Sequence, residues 1–325
     1  MTHSTQQKAQ QVRFVEVDAD QEGQRIDNFL RTCLKGAPKS LIYRILRKGE
    51  IRVNKKRVKP DSRLCAGDII RIPPIRIPEK GEAAPVGEGL AQHLEQAVLY
   101  ESDSLIIINK PSGLAVHGGS GVNLGMIEAL RQIRPKSRFL ELVHRLDRDT
   151  SGCIMVAKKR SMLRYLHDAL RQRKVNKVYQ ALVVGRWGKR QQTVDAPLLR
   201  YELKSGERMV KPHPDGKASV TRFQVLRRFQ DVATLVEARP LTGRTHQIRV
   251  HTQFAGHPIV GDVKYTPDED NARFRSLGFK RLMLHAAKLE VSLPDGEKLS
   301  VSAPLDPETT NVLDKLAQRF PRQES

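Results

Sequence analysis

The run LVHRLDRDTSG, residues 142–152, poses the question that the rest of the chain must answer. Two carboxylates, Asp147 and Asp149, stand among His144, Arg145 and Arg148, and the run ends on Thr150-Ser151-Gly152. Apolar content makes FLELVHRL (139–146) read as one strand and CIMVAKK (153–159) as another. Charges of both signs are therefore brought to the end of an apolar strand, either to turn the chain or to do chemistry.

Four readings fit the stretch. As a calcium loop, Asp147, Asp149, Ser151 and Gly152 fall at positions 1, 3, 5 and 6, but position 12 is Lys158 where a bidentate Glu is needed. As the D-x-D of an aspartyl phosphatase, it would need magnesium beside Arg145 and Arg148, and no later acidic pair is poised to hold the ion. As a plain turn, it has suitable residues, since Asp, Thr, Ser and Gly all form turns. As a carboxylate working on a nucleoside, it would attack an electron-poor carbon or stabilise a cationic sugar. That carboxylate must be ionised, which a neighbouring guanidinium favours. Arg145, Arg148 and the arginines of GRTHQIRVH (243–251) are available for this. The residues by themselves leave the four readings open.

Working outward, strand-like runs recur at 97–100, 105–109, 179–185, 220–226, 232–238, 283–293 and 299–304. Helical stripes occur at 124–134 and 161–172, and TGRTHQIRVHTQFAG (242–256) reads as a loop entering a helix capped by Thr242 or Thr245. Many strands and few helices, without strict alternation, predict an α+β fold with a mixed, mostly antiparallel sheet. This region spans 96–325. Before it, RIPEKGEAAPVGEGLAQHLE (76–95) reads as a linker ending in a short helix.

Residues 13–75 have a different organisation. Helical spacing is expected over 24–34 and 38–48, with Gly49 able to end the second helix. Ile51 and Val53 then alternate with polar residues, Asn54-Lys55-Lys56 reads as a turn, and GDIIRIP (67–73) as a returning strand. Arg44, Arg47 and Lys48 on the helix and Lys55, Lys56 and Arg57 at the turn form a basic surface suited to phosphates. Residues 1–12 are polar and are expected to be disordered.

The net charge of +21 is concentrated in such windows and points to a polyanionic partner, most directly nucleic acid. Aromatic residues make up only 5%, so a base-stacking platform is not advertised. No segment has the roughly 20 apolar residues of a membrane span, and the N-terminus has no apolar signal core. Three scattered cysteines, Cys33, Cys65 and Cys153, argue against a disulfide framework or thiolate zinc site. The histidines show no metal-ligand spacing, so no metal is expected. The chain reads as cytoplasmic.

HRLDRDTSG resembles the signature of the RluA-type pseudouridine synthases. IIINKPSGLAVHGG (106–119), KVYQALVVG (177–185) and GRTHQIRVHTQFAGHPIVGD (243–262) are similar to that family's other motifs, in the same order. Residues 23–72 look like the alpha-L RNA-binding domain that many members carry. The resemblance implies isomerisation of a flipped-out uridine to pseudouridine without a cofactor. It implies 23S ribosomal RNA or a large-subunit precursor as partner; separately, the chain is expected to act as a monomer. It makes Asp147 the catalytic carboxylate, a choice over Asp149 that the local chemistry does not make. It further implies that Tyr179 stacks on the base, Arg249 pairs with the aspartate, and Arg145 fills the gap left by the flipped base. Asp149 is then expected to fix the loop, through the Thr150-Ser151-Gly152 turn or a nearby arginine.

Overall fold

The computed structural model describes residues 11–34, 36–75, 84–118, 124–188, 191–203 and 205–321. Most of the polar N-terminus and the first part of the expected linker lie outside these residues. The chain divides into two compact units, Met1–Ala83 and Ala84–Ser325.

In the first unit, strand β1 (Arg13–Glu16) precedes two helices, α1 (Ile26–Cys33) and α2 (Lys39–Arg47). Ile26, Phe29 and Leu30 on α1 and Ile42, Ile45 and Leu46 on α2 recur at helical spacing, and all are buried. They share one core with Ile51, Ile70 and Ile72. Strands β2 (Arg52–Val53), β3 (Lys56–Arg57) and β4 (Ile69–Ile72) join β1 in the order β1-β4-β2-β3. Buried Asp27 ties the helices together, accepting from the Tyr43 hydroxyl at 2.8 Å and from Arg25. The β2–β3 turn runs through Asn54 and Lys55 at φ 48° and 67°, the left-handed pair a tight hairpin requires. The Asn54 side chain fixes that turn: it donates to Asp68 Oδ1 at 2.8 Å and accepts from the Ile69 N–H at 2.9 Å.

The second unit begins earlier than the expected boundary. Helix α3 (Glu88–Gln96) buries Leu94 in the same cluster as Ile106 and Ile108, so 84–95 is part of the packed unit rather than linker. Next come β5 (Val98–Glu101) and β6 (Leu105–Lys110), then α4 (Met126–Ile133), the short β7 (Glu141–Leu142) and β8 (Ser151–Ala157). Helix α5 (Arg160–Arg171) leads into β9 (Asn176–Val184). Strand β10 (Gln191–Asp195) and the hairpin of β11 (Leu198–Glu202) and β12 (Arg208–Pro212) precede the long pair β13 (Val220–Phe229) and β14 (Ala233–Pro240). Helices α6 (Gln247–Phe254) and α7 (Asp268–Ser276), strands β15 (Leu284–Ser292) and β16 (Lys298–Ser302), and α8 (Pro307–Arg319) complete it.

Ten strands form one sheet along the path β10-β13-β14-β9-β15-β8-β6-β5, with β16 on β15 and β7 on β8. Among the described residues only the β15–β8 pair is parallel, so the sheet is mixed and mostly antiparallel. All seven residues of β8 are buried. Cys153, Met155 and Ala157 pack with Met162 and Leu166 of α5, while Ile154 and Val156 pack with Met126 and Ile127 of α4. Burial on both faces explains why this strand reads as a continuous apolar run. Gly152 at its start has φ +107°, and a Cβ there would lie 2.3 Å from the Ala286 carbonyl oxygen of β15. Only glycine permits that crossing, and the crossing sets where the preceding loop emerges.

Other expectations need correcting. The strand read over 139–146 is confined to Glu141–Leu142, because His144 and its neighbours fold back on β8 as a wide loop. Neither Thr242 nor Thr245 caps α6. His246 occupies the cap at φ 52°, and Thr242 instead donates to Gln247 Oε1 at 2.7 Å. Strands β1, β10, β11 and β12 and helices α7 and α8 are not among the elements expected above.

Candidate active site

Asp147 lies in the loop between β7 and β8, and that loop is held from several directions. Val143 N–H bonds to the Met155 carbonyl at 3.0 Å, and Met155 N–H bonds to His144 Nε2 at 3.2 Å. Burial, reinforced by nearby Lys177, pushes the His144 pKa down to about 3, so the ring stays neutral and able to accept. From below, buried Lys110 donates to the carbonyls of Pro111, Leu114 and Arg148, each at 2.8 Å. Burial pushes the Lys110 pKa down to about 7, against the opposing charges of Asp149 and Asp147. Three acceptors nonetheless need three N–H groups, which only the ammonium supplies. Ser112 donates to the Asp149 carbonyl at 2.7 Å, and Thr150 N–H to the Asp147 carbonyl.

Asp149 contributes less to this than expected. Its carboxylate accepts from its neighbour Arg148 at 3.1 Å, on the exposed side of the loop. The Thr150-Ser151-Gly152 turn takes its support from the backbone, Ser112 and Lys110, not from the Asp149 side chain.

Asp147 Oδ2 accepts from Arg249 Nη1 at 3.2 Å. Arg249 is on α6, is 6% exposed, and is itself locked by Asp262, which takes Nε at 2.7 Å and Nη2 at 2.8 Å. Asp262 is 1% exposed and also accepts from the Lys264 and Tyr265 N–H groups through Oδ1. Burial opposes the Arg249 charge, but the bonds and charge of Asp262, then of Asp147, outweigh it and raise its pKa. A planar fork engaged on two sides has little rotational freedom, so Nη1 is fixed as a donor to Asp147.

His246 lies beside the carboxylate without bonding to it. Its left-handed φ of 52° is unfavourable for a side chain with a β-carbon, and Tyr265 holds it there. The Tyr265 hydroxyl accepts from Val210 N–H at 3.1 Å, which leaves its proton for His246 Nδ1 at 2.7 Å. The other ring nitrogen, Nε2, then carries the hydrogen and lies 3.8 Å from Asp147 Oδ2. Burial outweighs the pull of Asp147 and lowers the His246 pKa to about 4, keeping the ring neutral. The chain of contacts runs from the β11–β12 hairpin through Tyr265 and His246 to the carboxylate.

Asp147, Arg249, Tyr179 and Arg145 line one cavity of about 410 Å³, with Lys177, Arg171, Arg244 and His246. Asp147 is its single carboxylate among the described residues. Tyr179 comes from β9, and burial, with the Asp147 charge, raises its phenol pKa above the ordinary range. It therefore offers a flat ring and a protonated hydroxyl rather than a phenolate. Arg145 is exposed. The arrangement is a fixed carboxylate, an aromatic face and a ring of cations, in a space sized for one nucleotide.

The first unit carries the other expected basic residues. Arg44, Arg47, Lys48, Lys55, Lys56 and Arg57 are all exposed, and among the described residues none pairs with a carboxylate. Sequence reading missed the roles of Asp262, Tyr265 and Lys110, and took His246 only as structural or RNA-contacting. Asp262 left one signal, a lone acid closing the apolar run HPIVGD (257–262); a single Tyr or Lys near a motif leaves none.

Residues 104–254 match the family model described as RNA pseudouridylate synthase, and residues 24–70 match that of the S4 domain. The chain is 55% identical over 313 residues to the ribosomal large subunit pseudouridine synthase C of Pasteurella multocida (strain Pm70), covering 95% of each chain. It is 54% identical over 314 residues to the protein so named in Escherichia coli (strain K12), covering 94% of this chain and 97% of that one. Among solved structures it is similar to human RNA pseudouridylate synthase domain containing 4, with 30% identity and a TM-score of 0.60 over 70% of this chain and 95% of that one. Human RNA pseudouridylate synthase domain containing 1 matches with 26% identity and a TM-score of 0.58, over 73% of this chain and 98% of the other.

Proposed function

The chain belongs to the RNA pseudouridylate synthase family, and from that premise we propose that it isomerises specific uridines of 23S ribosomal RNA to pseudouridine, with Asp147 as the catalytic carboxylate. The observation that carries this reading is the Asp147 carboxylate, held at 3.2 Å by an arginine that Asp262 fixes, in one cavity with Tyr179. Net charge and the exposed cations of the S4 unit support a large RNA as the partner.

The target uridine leaves its stack and enters the cavity, with Arg145 available to occupy the gap. Asp147 acts on the ribose or the base, the bond from N1 to C1′ breaks, and the base turns to present C5. A bond from C5 to C1′ forms, the proton leaves C5, and N1 gains one. Substrate and product are isomers, so no electrons are gained or lost and no cofactor is required. Arg249 keeps the carboxylate in place throughout. Tyr179 offers its ring as a stacking face, with its hydroxyl near the base.

The test uses the purified protein and unmodified 23S ribosomal RNA transcript, with pseudouridine mapped by carbodiimide adducts and primer extension. Conversion at a few discrete uridines is expected. Binding of the RNA without conversion of any uridine would overturn the proposal in favour of a binding protein.

A further inference from the structure

Lys177 is a cation that the mechanism above leaves unused. It lies on β9 two residues before Tyr179, and the alternation of a strand puts both side chains on one face. Both line the cavity that holds Asp147. Lys177 is half-buried, yet among the described residues no carboxylate, carbonyl or hydroxyl bonds to its ammonium. No buried side-chain nitrogen among the described residues lacks a partner, so this ammonium reaches the open cavity and stays free for a ligand. The contrast with Lys110, whose ammonium has three carbonyl partners, shows that this fold satisfies a structural lysine fully. Burial accordingly lowers the Lys177 pKa from its ordinary value.

We propose that Lys177 is a catalytic residue that donates to a carbonyl oxygen of the target uracil and stabilises the negative charge the base acquires. The inference rests on the pseudouridine-forming reading. When the bond from N1 to C1′ breaks, the electron pair leaves with the uracil and spreads over N1, O2 and O4. If the carboxylate instead adds to C6, the displaced pair also reaches a carbonyl oxygen. Either route places developing charge where a fixed cation lowers the barrier. The charge is withdrawn again when C5 bonds to C1′ and loses its proton, so the lysine needs neither to give up nor to take a proton.

A backbone phosphate is the competing acceptor, and the structure argues against it. Exposed Arg145, Arg171 and Arg244 line the same cavity and can meet phosphates without being desolvated. Lys177 is set back from them, beside the ring that would stack on the base. Gly243 is a further cavity neighbour, where a Cβ would lie in ordinary contact with the ammonium at 3.8 Å.

The experiment compares wild type, Lys177→Met and Lys177→Arg on 23S ribosomal RNA transcript labelled with tritium at C5 of uridine. Single-turnover tritium release is measured at saturating RNA, RNA affinity at several salt concentrations, and folding by thermal melting. Lys177→Met should lose about 100-fold or more in rate, the scale of removing one donor to a developing anion. Its affinity and salt slope should stay within about threefold of wild type, while Lys177→Arg, which keeps the charge, recovers part of the rate. Weaker affinity with a salt slope reduced by about one and a normal saturated rate would identify a phosphate contact and overturn the proposal. A Lys177→Met rate near wild type would overturn it as well. If Lys177→Met melts early, Lys177→Arg decides: a rate no better than Lys177→Met in that folded variant counts against a charge-based role. Failure of the wild-type protein on this RNA would remove the activity itself, a result separable from all of these.

Discussion

Asp262 holds Arg249 through two parallel hydrogen bonds, Nε at 2.7 Å and Nη2 at 2.8 Å, and so decides which nitrogen remains for Asp147. Asp262→Asn keeps the shape but replaces a carboxylate acceptor with one carbonyl and one amide. Breaking a buried pair from one side typically costs about 3–5 kcal/mol. The expected outcome is a lower melting temperature and a large fall in single-turnover rate, with RNA affinity nearly kept. Arg249→Lys should fail similarly, because a point charge cannot serve both carboxylates in this geometry. An Asp262→Asn protein with normal rate and stability would show that Asp147 needs no such support.

Tyr265→Phe removes only the oxygen that links Val210 N–H to His246 Nδ1. It leaves a buried N–H without a partner, at about 1–3 kcal/mol, and frees the imidazole to choose its tautomer. The rate should fall several-fold, with RNA affinity unchanged. If the rate is unchanged in a protein that melts earlier, Tyr265 serves stability alone.

The exposed cations of the S4 unit should govern affinity rather than chemistry. Replacing Arg44, Arg47, Lys48 and Lys56 with alanine should weaken RNA binding and flatten its salt dependence, by about one in slope for each phosphate no longer engaged. Rate at saturating RNA should be kept. Loss of all turnover at saturation, with the fold intact, would contradict this division of labour.

Four histidines, His144, His246, His251 and His285, have their pKa values lowered, in each case chiefly by burial. The unfolded chain therefore binds protons that the native protein refuses. Stability is fully present above about pH 6.5 and is lost as pH falls through that value. Near pH 5.5, His144 and His246 should each account for about 1 kcal/mol. The carboxylates with lowered pKa values act in a more acid range. Urea midpoints at pH 7.5 and 5.5 test this: a clear drop at the lower pH is expected, and equal midpoints would contradict it.

Much of this architecture is legible in the sequence because burial writes periodicity. The α1 and α2 stripes, the apolar run of β8 and the Asn54-Lys55 turn each leave a local pattern that structure repeats. The polar strands β10, β11 and β12 have no sustained alternation and are invisible for that reason. Helix α8 does carry a start signal, Asp306 followed by proline and accepting from Thr309 N–H, which a search for apolar runs passes over. In the site, the motif residues Asp147, Tyr179 and Arg249 could be named through a family resemblance. Their supports could not, because Asp262 and Tyr265 act through contacts between loops that sequence distance hides. The strand expected to lead up to Asp147 shrinks to Glu141–Leu142, since apolar content alone does not distinguish a strand from a segment folded back on one.

The most direct test of the account sets Asp147→Asn against Asp149→Asn on RNA carrying tritium at C5 of uridine. Asp147 faces Arg249 in the cavity, while Asp149 pairs with Arg148 on the outer side of the loop. Asparagine is nearly isosteric with aspartate but neutral and a poor nucleophile. Asp147→Asn should release no tritium above background while binding RNA within a few-fold of wild type, and Asp149→Asn should retain measurable release. Full release by Asp147→Asn, or total loss confined to a well-folded Asp149→Asn protein, would contradict the assignment of the catalytic carboxylate.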